Sequence, residues 1–489
     1  MFVLNDCRHD ARVLREAGTL AGAGHQVTIV ARTTDPYARA GDTEMRGAVR
    51  IVRVPVASGP LRWLLLARRP RGLVAAGLEG ARALASQGPR GWAELVIVVP
   101  LVILLAGILL LPGMALAAAI LLLVLLLRRP ALRPLWLALE WRLQWRLGVV
   151  PWSRCASAAA PDVDVVHAHD LRALPAAVLV RERTGAALVY DSHEIFTEAG
   201  ANATRPARSK AALLRLERGL AAGAAALVTV NDDVARRLDQ RLGLGDRTVV
   251  VRNTLPRWEP PSGDRGPLRA ACGLPDGPFL LLCHGTFVPH RGFEQLAEAL
   301  ALPPLAGVHA AFLGMGWLRP ELQRLAADPA LGGRLHVLDA VPPDELQDWI
   351  VGADLDVIAI QPSTLNHRLS TPNKLFESLA AGVPVVTSDF EPMRRIVLDD
   401  PAGPLGAVCD PADPATLAAA IRTVLDLPPT DAAALRRRCL EAAHARYAWE
   451  IDGARLTSLY DRLTGPALGP RTAPGAAPPP PPSMPEALP

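Results

Sequence analysis

Short apolar runs alternate with amphipathic stretches along most of this chain, and the periods tell the two apart. Residues 13–21 put Val13, Leu14, Ala17 and Leu20 on one helical face, Gly22 to His25 break the pattern, and residues 26–31 read as a strand. An apolar start at 2–4 precedes this unit, and 49–56 is a further strand. The same alternation returns with strands at 164–170, 187–194, 225–230 and 249–254 and helices at 171–183, 210–222 and, capped by Asp232, to Leu242. After a Pro/Gly-rich linker at 256–267 it starts again. The strands there are 279–285, 336–338 and 356–360, with helices at 293–300, 344–351, near 391–398, at 415–426 and from 431 to about 463. Phe312 to Gly316 should follow one more strand. Strand–helix repetition of this kind predicts two doubly wound α/β domains.

One stretch breaks the pattern. From Leu95 to Leu127 there is no charged residue, only Pro100 and the Pro112-Gly113 pair to punctuate it. That is more than the ~20 residues of one bilayer crossing and less than two crossings and a turn require. Arg62, Arg68, Arg69, Arg71, Arg82 and Arg90 precede it, and Arg128, Arg129, Arg133, Arg142, Arg146 and Arg154 follow. Basic flanks on both sides place both ends on the cytoplasmic face, which predicts a re-entrant or interfacial hairpin. Six of the ten tryptophans lie in or beside it, and 131–152 reads as an interfacial helix resting on anionic headgroups. The expected location is the cytoplasmic face of the membrane.

Composition adds three exclusions. A net charge of +4 on 489 residues argues against a nucleic-acid binder. Six scattered cysteines without a C-x-x-C pair argue against a disulfide framework or a zinc site. His167 and His169 share a strand face, but no third ligand has metal-site spacing, so no metal is expected.

The most informative stretch is Thr371-Pro-Asn-Lys-Leu-Phe-Glu-Ser-Leu-Ala-Ala-Gly-Val-Pro-Val-Val-Thr-Ser-Asp389. Thr371 can cap a helix, Pro372 suits its first position, Leu375 and Leu379 face a core, and Gly382 ends it with left-handed backbone. The N-terminus of such a helix offers unpaired N–H groups to a phosphate. Lys374 adds charge there, and Glu377 can accept bonds from sugar hydroxyls.

These residues resemble the donor helix of family 4 glycosyltransferases, which have the GT-B fold of two Rossmann-like domains facing a cleft. The resemblance implies domains at 1–255, for the acceptor, and 268–445, for a nucleoside-diphosphate sugar. The insertion at about 60–155, a helix at 446–464 returning to the first domain, and a disordered Pro/Ala-rich tail at 465–489 complete the expected organisation. Glu377 matches the second glutamate of the family's Glu-x7-Glu pair. The first falls on Leu369, so Asn366, Ser370 or Asn373 would contact the donor sugar instead. Asp10 and Arg12 match an Asp-x-Arg-Val loop on the acceptor side, as does Asp170 a His-Asp pair. His193, in Asp-Ser-His-Glu194, matches a histidine near the reacting centre. Gly285, Arg291 and Gly292 match the loop that cradles the diphosphate, although Thr286 stands where a first arginine is usual. Gly314 matches the segment near the base.

Thr371, Asn373 and Lys374 complete the donor contacts. The implied reaction retains configuration, needs neither metal nor cofactor, and uses a nucleotide sugar and a lipid-linked or other saccharide acceptor. His193, Arg291, Lys374 and Glu377 are the implied catalytic residues. A silent scaffold of a polysaccharide assembly complex and a sugar-nucleotide epimerase are the alternatives.

Overall fold

The structure, a computed structural model, describes residues 1–33, 42–55, 140–261, 266–274 and 277–465. The charge-free run 95–127, with the hairpin expected there, and the tail from 466 lie outside the described residues. Among the described residues no helix is long and apolar enough to cross a membrane.

Two open sheets organise the molecule. The first contains β1 (Phe2–Val3), β2 (Thr28–Thr33), β3 (Asp42–Arg46), β4 (Val49–Pro55), β5 (Val165–His169), β6 (Ala187–Ser192), β7 (Ala224–Thr229) and β8 (Thr248–Val250). Its order is β3-β4-β2-β1-β5-β6-β7-β8. All neighbours are parallel except β3 on β4. The second contains β9 (Leu280–Thr286), β10 (His309–Met315), β11 (Leu335–Asp339), β12 (Leu355–Ile358), β13 (Val385–Ser388) and β14 (Gly406–Cys409). It is wholly parallel, in the order β11-β10-β9-β12-β13-β14.

Each sheet is buried on both faces, as parallel sheets must be, because the crossover helices cover them. Apolar clusters built on Leu171, Leu174 and Trp152 and on Val13, Leu20 and Leu456 sandwich the first sheet. Clusters on Phe293, Phe312 and Leu379 and on Leu268 and Leu282 sandwich the second. Strand order reverses between β1 and β5 in one sheet and between β9 and β12 in the other. Crevices open at the carboxyl ends of strands at such points, and the two crevices face each other across a cleft.

The long helix Pro429–Arg446 packs on the second domain, with Leu435, Cys439 and Ala443 in its core. The chain then crosses back. Trp449 N donates to Leu255 O at 2.7 Å, and the helix Trp449–Thr464 buries Trp449, Leu456, Leu459 and Tyr460 against the first domain. Arg252 binds the fully buried Asp452 through both carboxylate oxygens at 3.2 Å, which ties this helix to the end of the first sheet.

Several local expectations need correction. Strand β3 carries no apolar alternation to betray it. It is an edge strand held by the turn at Gly47 (φ 57°) and by Glu44 pairing with Arg46 and Arg53 at 2.7 and 2.6 Å. Phe312-Leu-Gly-Met does not follow a strand but forms the end of β10. Asn231, not Asp232, caps the helix Asp232–Leu242, its side chain accepting from Val234 N at 2.8 Å.

The region around Trp141, Trp145 and Trp152 is a π-turn, Trp145–Val149, running into the helix Val150–Ala159. All three indoles are buried in the first domain's core, and Trp152 meets the ring of Phe2 edge-on at 6.3 Å. They are therefore not interfacial anchors. The outward side carries Leu143 and Leu147, 45% and 54% exposed, beside the exposed Arg142 and Arg146.

Candidate active site

The helix expected to bind a donor spans Asn373–Ala380, with Leu375 and Leu379 buried as its spacing requires. Thr371 does not cap it. Pro372 occupies the cap position, without a side-chain bond, and the Thr371 hydroxyl instead accepts from Asn231 Nδ2 at 3.2 Å. The first N–H groups of the helix are thus left without a side-chain cap. They lie beside a cavity of about 600 Å³ whose walls include Gly285, Arg291, Gly314, Asn373, Lys374 and Glu377.

Glycine shapes this cavity. Gly285 (φ 119°) is the next-to-last residue of β9, and a Cβ there would lie 3.6 Å from Lys374 Nζ. Gly314 is its registered partner on β10, where a Cβ would meet Gly285 O at 1.9 Å. The two glycines let neighbouring strand ends close up beneath the lysine. Gly292 (φ 86°) starts the helix Phe293–Leu300 and has no room for a Cβ against Ala359.

Lys374 is only 9% exposed, and among the described residues no carboxylate pairs with it; its Nζ lies 5.9 Å from the centroid of the Phe293 ring. Arg291 is likewise without a carboxylate bond among the described residues, and burial pulls its pKa down. A buried and a half-buried cation and an uncapped helix start, in one cavity, are charges waiting for an anion.

Glu377 faces the same cavity and is held by His284, Nε2 to Oε2 at 2.9 Å. His284 also reaches Asp356 Oδ2 at 3.4 Å, and Ser378 Oγ donates to that oxygen at 2.6 Å. Burial disfavours a charged imidazole, but Asp356 and Glu377 outweigh it and push His284 up to about 9. Sequence reasoning passed over His284. The signal was there, a lone polar residue inside an apolar strand, yet its partners Asp356 and Glu377 lie far along the chain.

The second cavity, about 580 Å³, lies between the domains. Asn5, Asp10, His193 and Glu194 line it from one side and Asn366, Thr371 and Asn373 from the other. Asn373 borders both cavities, so they meet at the start of the donor helix.

His193 closes β6 here. Its ring nitrogens lie 3.5 Å from Asp170 Oδ2 and 3.3 Å from Asp191 Oδ2. Burial opposes its charge, but the two aspartates prevail and push it up to about 9. Asp170 sits at φ 63°, a conformation a non-glycine residue rarely holds, and accepts from His193 N at 3.1 Å. Its observed partner is His193, which it orients.

Arg12 borders this cavity, as the sequence expectation requires, but its guanidinium is engaged inside the domain. It is 4% exposed and forks onto Asp191 through Nε and Nη2, both at 3.1 Å. It also pairs with Glu16 at 2.9 Å and donates to Val251 O at 2.8 Å. Asp10 does border the cavity, but its carboxylate caps the first helix through Val13 N at 3.2 Å and accepts from Asn5 at 2.7 Å.

Around Arg12 the fold gathers Glu16, His167, His169 and Asp191, a donor set of the kind that can hold a metal ion. The two residues missing from the sequence pattern come from the first helix and from β6. Arg12 already pairs with both carboxylates, so the cluster reads as a buried ion network. Burial lowers both histidines, and Tyr460 of the last helix meets His167 Nδ1 at 2.9 Å.

Leu369, standing where an acid was sought, packs with Leu365 against the first domain's core, and its carbonyl accepts from Asn231 at 2.8 Å.

Comparison with known proteins agrees with this architecture. Residues 278–426 match the family described as glycosyl transferases group 1, and residues 118–254 match the glycosyl transferase 4-like domain. The D-inositol 3-phosphate glycosyltransferase 1 of Catenulispora acidiphila is 30% identical over 319 residues, 62% of this chain and 73% of that protein. The GDP-mannose-dependent alpha-(1-6)-phosphatidylinositol monomannoside mannosyltransferase of Mycolicibacterium smegmatis is 29% identical over 42% of this chain and 53% of its own length. Among solved structures, the sucrose-phosphate synthase of Thermosynechococcus elongatus superposes with a TM-score of 0.65 at 17% identity, over 94% of this chain and 98% of that one. The chain belongs to the group 1, family 4-like glycosyltransferases and has their two-domain GT-B fold. It is a glycosyltransferase.

Proposed function

We propose that this enzyme transfers a sugar from a nucleoside-diphosphate sugar to a lipid-linked saccharide at the cytoplasmic face of a membrane, with retention of configuration and without a metal ion. The observation that carries the donor assignment is the buried, carboxylate-free Lys374 beside Arg291 at the uncapped start of the Asn373–Ala380 helix. As the C1–O bond to the diphosphate breaks and a C1–O bond to the acceptor forms, negative charge grows on the leaving group. Fixed cations and helix N–H groups stabilise that charge without having to reorganise. Glu377, held by His284 on the wall of the same cavity, is the acceptor we assign to the ribose hydroxyls.

The acceptor assignment rests on location. The charge-free run 95–127 precedes a segment whose outer side pairs Leu143 and Leu147 with Arg142 and Arg146. Leucines flanked by arginines suit the boundary between acyl chains and anionic headgroups.

Nucleotide release tests this reading. Membrane-bound protein is given a panel of nucleotide sugars, with and without a polyprenyl-linked acceptor extract, beside Lys374→Ala and Glu377→Ala. Acceptor-dependent release that both variants lose is the expected result. Saturable donor binding without turnover would instead favour a silent scaffold, the reading to which Leu369 and Thr286 lend themselves.

A further inference from the structure

The second domain lines the cavity between the domains with four polar side chains, Asn366, Ser370, Asn373 and Thr371, the last already accepting from Asn231, and each is engaged. Asn366 Oδ1 accepts from Ile195 N at 3.1 Å while its Nδ2 donates to Glu194 Oε2 at 3.2 Å. Ser370 Oγ donates to His367 O at 2.9 Å. Asn373 Oδ1 accepts from Asn253 Nδ2 at 2.9 Å. None of these side chains carries a charged acceptor, although Asn373 keeps its Nδ2 without a partner among the described residues.

Glu194 differs from them. It lines the cavity between the domains, which shares Asn373 with the donor cavity, and its charge acts on Arg291. A carboxylate has about four acceptor sites, and among the described residues Glu194 uses one, for Asn366. Asp10, another carboxylate on the wall of the cavity between the domains, is already committed as a helix cap.

We propose that the Glu194 carboxylate accepts hydrogen bonds from hydroxyl groups of the sugar being transferred, with Asn366 holding it in place from the opposite domain. This rests on the reading of the cleft as a site of sugar transfer. The amide of Asn366 fixes both ends of the contact: its oxygen must face Ile195 N–H, which turns its NH₂ to the carboxylate. Domain closure and sugar recognition are thereby joined in one pair of residues.

The surroundings agree with such a role. Burial raises the Glu194 carboxyl to about 7, Asp170 adds to the rise, and His193, Asn366 and Arg291 act against it. Arg172 shares its field, and Asp6, His9, Asp10 and Arg12 line the same cavity. An acid in that environment gains from hydroxyl donors that water no longer supplies.

The test compares Glu194→Gln and Glu194→Asp with the wild type, using nucleotide release from the donor that the panel above selects and inhibition by added UDP or GDP. Glutamine keeps an oxygen for Asn366 but loses the charge. The expected result is a fall of about 10- to 100-fold in kcat/KM for Glu194→Gln. Inhibition by the free nucleotide should be unchanged, and activity should partly return in Glu194→Asp. The wild-type rate should rise with pH through about 7, and Glu194→Gln should lack that limb. Wild-type activity with Glu194→Gln within twofold of it overturns this assignment alone. So does nucleotide inhibition that weakens in step with kcat/KM, since a loosened clasp would disturb both. A wild-type protein that releases no nucleotide overturns the transfer reading and this assignment with it.

Discussion

At the scale of single residues, charge placement decides most of what the site can do. Lys374 is the plainest case, because a buried ammonium without a carboxylate has no structural use that repays its desolvation. Its replacement by alanine should cost about 100- to 1000-fold in turnover, the usual loss when a group that stabilises a developing anion is removed. The two raised histidines make a separate prediction about stability. His193 and His284 are held up to about 9, against 6.5 for an unstructured histidine. Between those values the folded chain binds more protons than the unfolded one, so stability falls as pH rises. What the pair contributes is fully present below about 6.5 and is lost through about 9. Glu194 and Glu217, both raised to about 7, act in the same direction at the lower edge of this window. Thermal midpoints measured at pH 6.5 and 9 should therefore decline, and a flat or rising trend would count against the histidine assignments.

At the scale of elements, the site depends on backbones that approach closely. Gly285 and Gly314, next to last in β9 and β10, stand in register, with no space for a methyl group on Gly314. Gly314→Ala must push the strand ends apart, at a cost of about 1–3 kcal/mol as for other overpacked sites. Urea unfolding would register the loss. Nucleotide binding should weaken with it, because Lys374 stands over the same spot. A variant of unchanged stability and affinity would show that the strand ends are free to spread. Most of these elements were legible in the chain: the helix at 293–300 is found at Phe293–Leu300, and that at 415–426 at Pro414–Leu425. Strand β3 was not, since pairing at a sheet edge leaves no mark on a polar sequence. The tryptophans after the insertion misled for a related reason. Aromatic residues interleaved with arginine suit a lipid interface or a protein core equally well, and Arg172 and Arg205 lie over the buried Trp141 ring at 5.8 and 5.7 Å.

At the scale of the whole molecule, the two domains are joined by polar contacts rather than by a broad apolar seam. Asn231 to Leu369, Asn366 to Glu194 and Ile195, and Arg395 to Asp233 at 3.1 Å span the cleft, and Leu365 and Leu369 add an apolar footing. A joint of this composition allows relative motion, as domain interfaces of modest size do. The insertion acts at this scale too. Replacing 95–127 by a hydrophilic linker should move the protein from the membrane to the soluble fraction while leaving its affinity for free nucleotide intact. Persistent membrane binding after that exchange would place the anchor elsewhere.

The sequence by itself determined the fold class, the helix after Pro372 and the lysine in its first turn. Those features are carried by local periodicity and by residues a few positions apart. Only the tertiary structure decided which polar groups are free. Arg12 and Asp10 read as contacts for an acceptor, yet folding commits Arg12 to Asp191, Glu16 and Val251 and commits Asp10 to a helix start. Glu194 and His284 carry no local signal of their roles, yet folding brings them to Asn366 and Glu377, distant in the chain. A charged residue's role depends on which partners desolvate and neutralise it, and those partners are chosen by packing across the sheets.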